Sequence, residues 1–208
     1  GGTIAGVGSY LKTCTENIAI GVADPLGSAL FTYYQKGEFK SVGNSISEGI
    51  GQGRITENLK GFKPDYCFQI SDEVALPILY DLMSQEGLYL GGSSAINVAG
   101  SIELARKGFV LSDFQAKNLN KYKEKFSKNE EAKKIFTRAN GFYEGDILIQ
   151  TDLADTIERI AKKGKEEFYS GETARKIANF FQKSGGILSL EDLKKYKLRL
   201  LNPVCGSY

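Results

Sequence analysis

Two patterns divide the 208 residues, predicting an α/β fold over residues 1–107 and a mainly helical one over residues 108–208. In the first stretch glycine-rich turns separate short apolar runs such as Ile18–Ala23 and Tyr66–Ile70. Runs of that length and composition suit parallel strands covered on both faces. In the second stretch lysine and glutamate interleave with apolar residues three and four apart, the stripe of an amphipathic helix. The seam falls at Gly108-Phe109, and the length accommodates one or two domains.

Within the first stretch, Ile4 to Lys12 reads as a helix that follows directly on Gly1-Gly2-Thr3. Free amides and the positive end of a helix dipole favour an anion at such a place, although glycine-rich turns on their own are more often plain turns. Gly6-Val7-Gly8 is not a dinucleotide fingerprint, because Leu11 stands where the third glycine belongs. Asp24-Pro25 closes the Ile18–Ala23 strand. Ser71-Asp72-Glu73 supplies a capping oxygen and negative charge to the helix after Tyr66–Ile70, and Pro77 is expected to bend that helix. Leu88–Leu90 is a predicted third strand ending in Gly91-Gly92-Ser93-Ser94, and Ala95–Lys107 is a helix stopped by Gly108.

Composition removes several chemistries. The chain contains no histidine, which excludes Ser-His-Asp and Cys-His catalysis and imidazole proton shuttling. Cys14, Cys67 and Cys205 are far apart, odd in number and match no zinc or redox spacing. A net charge of +2 is too small to argue for a nucleic-acid partner. Lys117, Lys121, Lys123, Lys125 and Lys128 read as a solvated helix face. No apolar run nears the ~20 residues of a membrane span, and no signal segment opens the sequence, so the expectation is a cytoplasmic chain without a membrane partner.

In the second stretch Ser112 to Gln115 and Ser127 to Glu130 have capping-box spacing. Phe114, Leu119, Tyr122 and Phe126 share one face of the first helix. A further helix is expected from near Asp152, burying Leu153, Ile157, Ile160 and Ala161 and ending at Gly164. The next carries Ala174, Ile177, Ala178 and Phe181 before Gly185-Gly186, and Ser189 to Asp192 caps a short last helix.

Three glycine-rich loops stand out: Gly1-Gly2-Thr3, Glu48 to Arg54 and Gly91-Gly92-Ser93-Ser94. With Ala23 to Ala29 and Asn97 to Gly100 they resemble the C-terminal part of cysteine synthase, of the pyridoxal-phosphate fold-type II family. That resemblance implies a partial cofactor domain of parallel strands and helices, with pyridoxal phosphate as cofactor and β-replacement on O-acetylserine as chemistry. It places Gly1, Gly2 and Thr3 on the cofactor phosphate and Ser93 on the pyridine nitrogen. Gly49, Ile50 and Gly51 would face the substrate. Without the resemblance, Ser93 also reads as a helix N-cap. The family's lysine that holds the cofactor covalently lies before the phosphate loop, and none of Lys12, Lys36, Lys40, Lys60 or Lys63 stands in that position. An exposed lysine, with a pKa near ~10.4, is a poor nucleophile.

The spacing of Leu153-Ala154, Thr156, Ile160-Ala161, Gly164, Phe168-Tyr169, Gly171 and Ala174, followed by Gly185-Gly186, Asp192-Leu193 and Tyr196, resembles the large subunit of γ-glutamyltransferase. Members of that family are N-terminal-nucleophile hydrolases of glutathione metabolism, often exported. Pro203 to Tyr208 fits the strand that follows this segment in the family. The resemblance implies a threonine nucleophile at the start of a separate small subunit and a substrate-binding arginine upstream. Thr137, Thr151, Thr156 and Thr173 are therefore expected as caps or helix-face residues, and Arg106, Arg138, Arg159, Arg175 and Arg199 do not inherit the substrate role. No catalytic residue is assigned.

Ile102 to Phe109 satisfies both resemblances. The expectation is a join of two truncated pieces, residues 1–107 and 108–208, inactive alone. The alternatives are an active part of a γ-glutamyltransferase or a non-catalytic structural or binding fragment. Substrates would be small amino acids or γ-glutamyl compounds, and truncation surfaces would favour self-association. Two unrelated halves are expected to share a modest interface, with 108–111 a linker that no core covers.

Overall fold

Strands are few. In the computed structural model, which describes residues 2–15, 17–86 and 90–197, one parallel and one antiparallel pair of strands stand among helices. Helix α1 (Gly2–Cys14) leads to β1 (Gly21–Pro25) and α2 (Leu30–Lys36). After a long loop and a short 3-10 turn at Glu57–Leu59, β2 (Tyr66–Ile70) lies parallel to β1 with Gly21 opposite Tyr66 and Pro25 opposite Ile70. Helices α3 (Asp72–Glu86) and α4 (Gly92–Lys107) follow. The predicted strand at Tyr66–Ile70 coincides with β2. The first strand lies three residues later than expected, because the Ile20 carbonyl is taken by the Asp65 and Tyr66 amides and its amide by the Asp65 carboxylate. Of the third predicted strand, Leu88 and Tyr89 lie outside the described residues.

Beyond the seam come β3 (Phe109–Val110), α5 (Asp113–Lys121), α6 (Lys123–Phe126), α7 (Glu130–Phe136) and β4 (Ile147–Leu148). Strands β3 and β4 are antiparallel. Helices α8 (Thr151–Tyr169), α9 (Glu172–Lys183) and α10 (Leu190–Lys195) complete the described chain. Ser112 forms the expected capping box with Gln115, as Ser189 does with Asp192. Ser127 does not cap α7. Its hydroxyl donates to the Lys123 carbonyl, and Asn129 accepts from the Ala132 amide instead. Gly164, at φ 61° and ψ −151°, is non-helical and divides α8, so the helix from Thr151 breaks where expected and a second helical piece runs on to Tyr169.

Three apolar clusters organise the packing. Ala5, Val22, Leu30, Leu59 and Phe62 join α1, β1 and α2. Leu111, Ala116, Phe142 and Leu148 form a second cluster just past the seam. The third is shared by both stretches: Ala161 of α8 packs with Ile70, Ala75 and Ile78, and with Ala95, Ile96 and Ala99 of α4.

That sharing corrects the linker expectation for 108–111. Leu111 is 1% exposed, β3 is paired with β4, and the Tyr66 hydroxyl donates to the Val110 carbonyl at 2.9 Å. The Phe109 ring meets the Tyr66 ring edge-on at 6.3 Å. Small side chains on the facing stripes of α3, α4 and α8 permit close helix approach, and each apolar stripe finds its cover on the others. Arg106 of α4 adds ion pairs to Asp155 at 2.9 Å and Glu158 at 2.6 Å of α8.

Candidate cofactor cleft

A cleft of about 480 Å³ opens between the first turns of α1, strand β1, the loop 49–52 and the start of α4. Thr3, Gly49, Ile50, Gly51 and Ser93 all line it. Gly2, at the start of α1, lies instead against Asn58, whose Nδ2 would be 3.2 Å from an added β-carbon. Gly1 lies outside the described residues. Asp24, Gln52 and Asn97 also line the cleft, and sequence reasoning did not single them out. The signals were there: Gln52 follows Gly51 directly, and Asn97 stands one helical turn after Ser93.

The loop is held against β1 and α2 by Ser28. Its hydroxyl accepts from the Gln52 amide at 2.9 Å and donates to the Gln52 carbonyl at 3.3 Å. The Ala29 amide donates to that carbonyl at 3.0 Å. Gly51 has φ +81°, and a β-carbon there would lie 2.8 Å from that of Ser28, so no other residue fits without displacement. Asp72, at the start of α3, accepts from the Ser45 hydroxyl at 2.6 Å and the Ile46 amide at 2.8 Å, just upstream of the loop. Its carboxylate thus secures the loop.

Ser93 stands in the first turn of α4. The N-cap there is Gly91, so Ser93 is not the cap that its residue type alone also allowed. Its carbonyl accepts from the Asn97 carboxamide at 2.8 Å. Asp24, 1% exposed, accepts from the Phe31 amide at 2.8 Å and so closes the first turn of α2. Burial pushes its carboxyl above the ordinary value, against the hydrogen bond from the Phe31 amide. Burial, reinforced by the Asp24 charge, pushes the Cys67 thiol up to about 11. No lysine or arginine lines the cleft among the described residues.

Thr137, Thr156 and Thr173 of the second stretch are engaged locally. The Thr137 and Thr156 hydroxyls donate to the carbonyls four residues earlier at 2.7 Å each. Thr173 is buried, and its hydroxyl and amide both meet the Glu167 carboxylate at 3.0 Å. Glu167 is itself 2% exposed and accepts from Arg159 Nε at 3.2 Å. Sequence reasoning missed this buried carboxylate. Among the described residues no group of three potential ligands could hold a metal ion, and no helix is long and apolar enough to cross a membrane.

Two separate likenesses match the two stretches. Cysteine synthase 1 of Emericella nidulans is 45% identical over 115 residues of the first half, 51% of this chain and 30% of that protein. The glutathione hydrolase proenzyme of Escherichia coli is 39% identical over 113 residues, 53% of this chain and 20% of that protein. The chain therefore spans less than a third of either relative. The crystal structure of Helicobacter pylori gamma-glutamyltranspeptidase aligns over 81% of this chain and 47% of its own, at 30% identity and a TM-score of 0.48. The family model of Gamma-glutamyltranspeptidase matches residues 95–208, beginning inside α4. Through that segment, more than half of its length, the chain belongs to the gamma-glutamyltranspeptidase family.

Proposed function

We propose that these 208 residues join a partial pyridoxal-phosphate seat of cysteine-synthase type to a large-subunit segment of gamma-glutamyltranspeptidase type, with ancestry changing near residue 107. The carrying observation is the cleft, where Thr3, Gly49–Gly51 and Ser93 face one space and no described cation lines it. The Thr3 and Ser93 hydroxyls, the first amides of α1 and the apolar walls fit a phosphate-bearing aromatic ring held without a covalent bond. Thr3 and the first amides of α1 would hold the phosphate. The Ser93 hydroxyl would meet the pyridine nitrogen as a neutral partner, Ile4, Val7 and Val22 would shield the ring from water, and the loop Gly49–Gly51, open at the missing side chain of Gly49, would admit an amino acid. When bound, the cofactor supplies an electron-withdrawing ring that stabilises negative charge on the α-carbon of an amino acid.

On this reading neither parental reaction runs on these residues alone. The group that removes or returns a proton in the cleft, and the threonine amine that serves γ-glutamyl transfer, must be supplied from outside them. Substrates of a completed assembly would be small amino acids or γ-glutamyl compounds. Phe180 and Phe181 of α9, 50% and 39% exposed, offer copies of the chain an apolar surface for association.

Absorbance titration with pyridoxal phosphate, then borohydride reduction and peptide mapping, tests the reading. Reversible binding weakened by Thr3→Ala and Ser93→Ala, with no stoichiometrically labelled lysine, is expected. A single fold-dependent labelled lysine overturns it, as does amine release from a chromogenic γ-glutamyl anilide.

A further inference from the structure

A second cavity, of about 370 Å³, opens between α3, α4 and α8. Its apolar surface comes from Val74, Pro77 and Ile78 of α3, Ala99 and Ile102 of α4, and Ala161 of α8. Helix α3 precedes the segment matched by the family model, whereas α8 and most of α4 lie within it. The cavity therefore needs both parts of the chain. Its size falls at the small end of the roughly 300–1,000 Å³ typical of small-molecule sites.

The charges on the rim decide what fits. All three rim cations are already engaged with carboxylates: Arg106 with Glu158 at 2.6 Å, Lys107 with Glu103 at 2.7 Å and Lys162 with Glu158 at 2.7 Å. Arg106 also holds Asp155 at 2.9 Å. Glu73 and Asp81, about 12 Å apart along α3 and both on the cavity lining, have no cation within ion-pair distance among the described residues. One wall therefore carries uncompensated negative charge beside an apolar floor. An anion would be repelled there, and the carboxylate of a free amino acid would find every nearby cation occupied. A neutral apolar molecule would gain from burial alone.

We propose that this cavity binds a small hydrophobic primary ammonium, its apolar body on Val74, Ile78 and Ile102 and its charge against the α3 wall that Glu73 and Asp81 make negative. The discriminating feature is the absence of a carboxylate on the ligand. An amine is accepted, and the amino acid bearing the same side chain is refused.

The test is calorimetric titration of the whole chain with 2-phenylethylammonium, 2-phenylethanol and phenylalanine, with NMR shift mapping of the site. Expected is binding of the ammonium alone, with shifts centred on Val74 and Ile102, weakened by added salt. Glu73→Gln and Asp81→Asn should each weaken it roughly two- to fivefold, the worth of an exposed charge pair. Ile102→Trp, which fills the cavity, should abolish it while circular dichroism reports an unchanged fold. Equal binding of the alcohol or of phenylalanine, indifference to both carboxylate substitutions, or shifts centred elsewhere would each overturn the proposal. Should Ile102→Trp fail to fold, the two carboxylate variants decide the matter by themselves.

Discussion

A β-carbon on Gly171 would lie 2.5 Å from Oε2 of Glu167 and 2.6 Å from its Cα. The two residues coexist because position 171 has no side chain, and the chain can turn from α8 into α9 directly over a buried carboxylate. Replacing Gly171 by Ala should cost about 1–3 kcal/mol, the usual penalty for overpacking a filled site. Urea denaturation measures it. A loss below about 0.5 kcal/mol, the range of an ordinary surface change, would mean that the turn has slack.

Glu167 also carries a pH dependence. Burial by itself would raise its carboxyl, but the Thr173 amide and hydroxyl and the Arg159 guanidinium together hold it below the ordinary 4.5. A carboxylate depressed in the folded state stabilises above its unfolded pKa, and that contribution is lost as pH falls through the folded value. Stability should therefore drop as the solution is acidified below about 4.5. In Glu167→Gln this part of the drop should vanish, together with some stability at neutral pH. A variant with the same acid limb as the parent would show that Glu167 does not contribute.

Gly108 tests how the chain leaves α4. It has φ +81°, and a β-carbon there would lie 2.6 Å from Cγ2 of Ile147 and 2.7 Å from the Leu148 carbonyl oxygen. Gly108→Ala should lower the melting temperature through both backbone strain and collision with β4, by roughly 1–3 kcal/mol of stability. A melt unchanged by the substitution would restore the picture of a free linker.

The described cysteines should differ in reactivity. Cys14 is exposed and Cys67 half-buried, with the Cys67 thiol pushed up to about 11 by burial and the Asp24 charge. Because the thiolate is the nucleophile, brief iodoacetamide treatment near pH 8 followed by peptide mapping should label Cys14 well before Cys67. The reverse order would contradict the packing of β2 against β1.

How far the sequence reveals this molecule depends on the range of the forces involved. Tyr66–Ile70 and the stop at Gly108 are legible because strand composition and a glycine with positive φ act locally. The Asn129 cap is not, because Ser127 and Asn129 are both good caps, and a hydroxyl-to-carbonyl bond within the preceding helix settles the choice. Gly164 reads as a terminator, and its non-helical backbone does break α8 there, but the further helical piece to Tyr169 is not legible from the glycine. The stripe through Ile157, Ile160 and Ala161 states that a face is buried but not that α3 and α4 cover it. Thr3, Gly49–Gly51 and Ser93 line one cleft; only family resemblance groups them in the sequence, whereas their residue types alone favour plain turns and a cap. Asp24, Gln52 and Asn97 join them through folding that places distant segments together.

The family match begins at Ala95, three residues into α4, and this makes the chain awkward to dissect. Severing it there would strip the first turn from the helix, remove α3, and bring Ala95, Ile96 and Ala99 to water from positions that are 0%, 0% and 1% exposed. A piece excised at the bound of the family match would thus carry a raw face where the intact molecule has its best-covered surface, and precipitation of that piece would report the location of the cut rather than any defect in the second half.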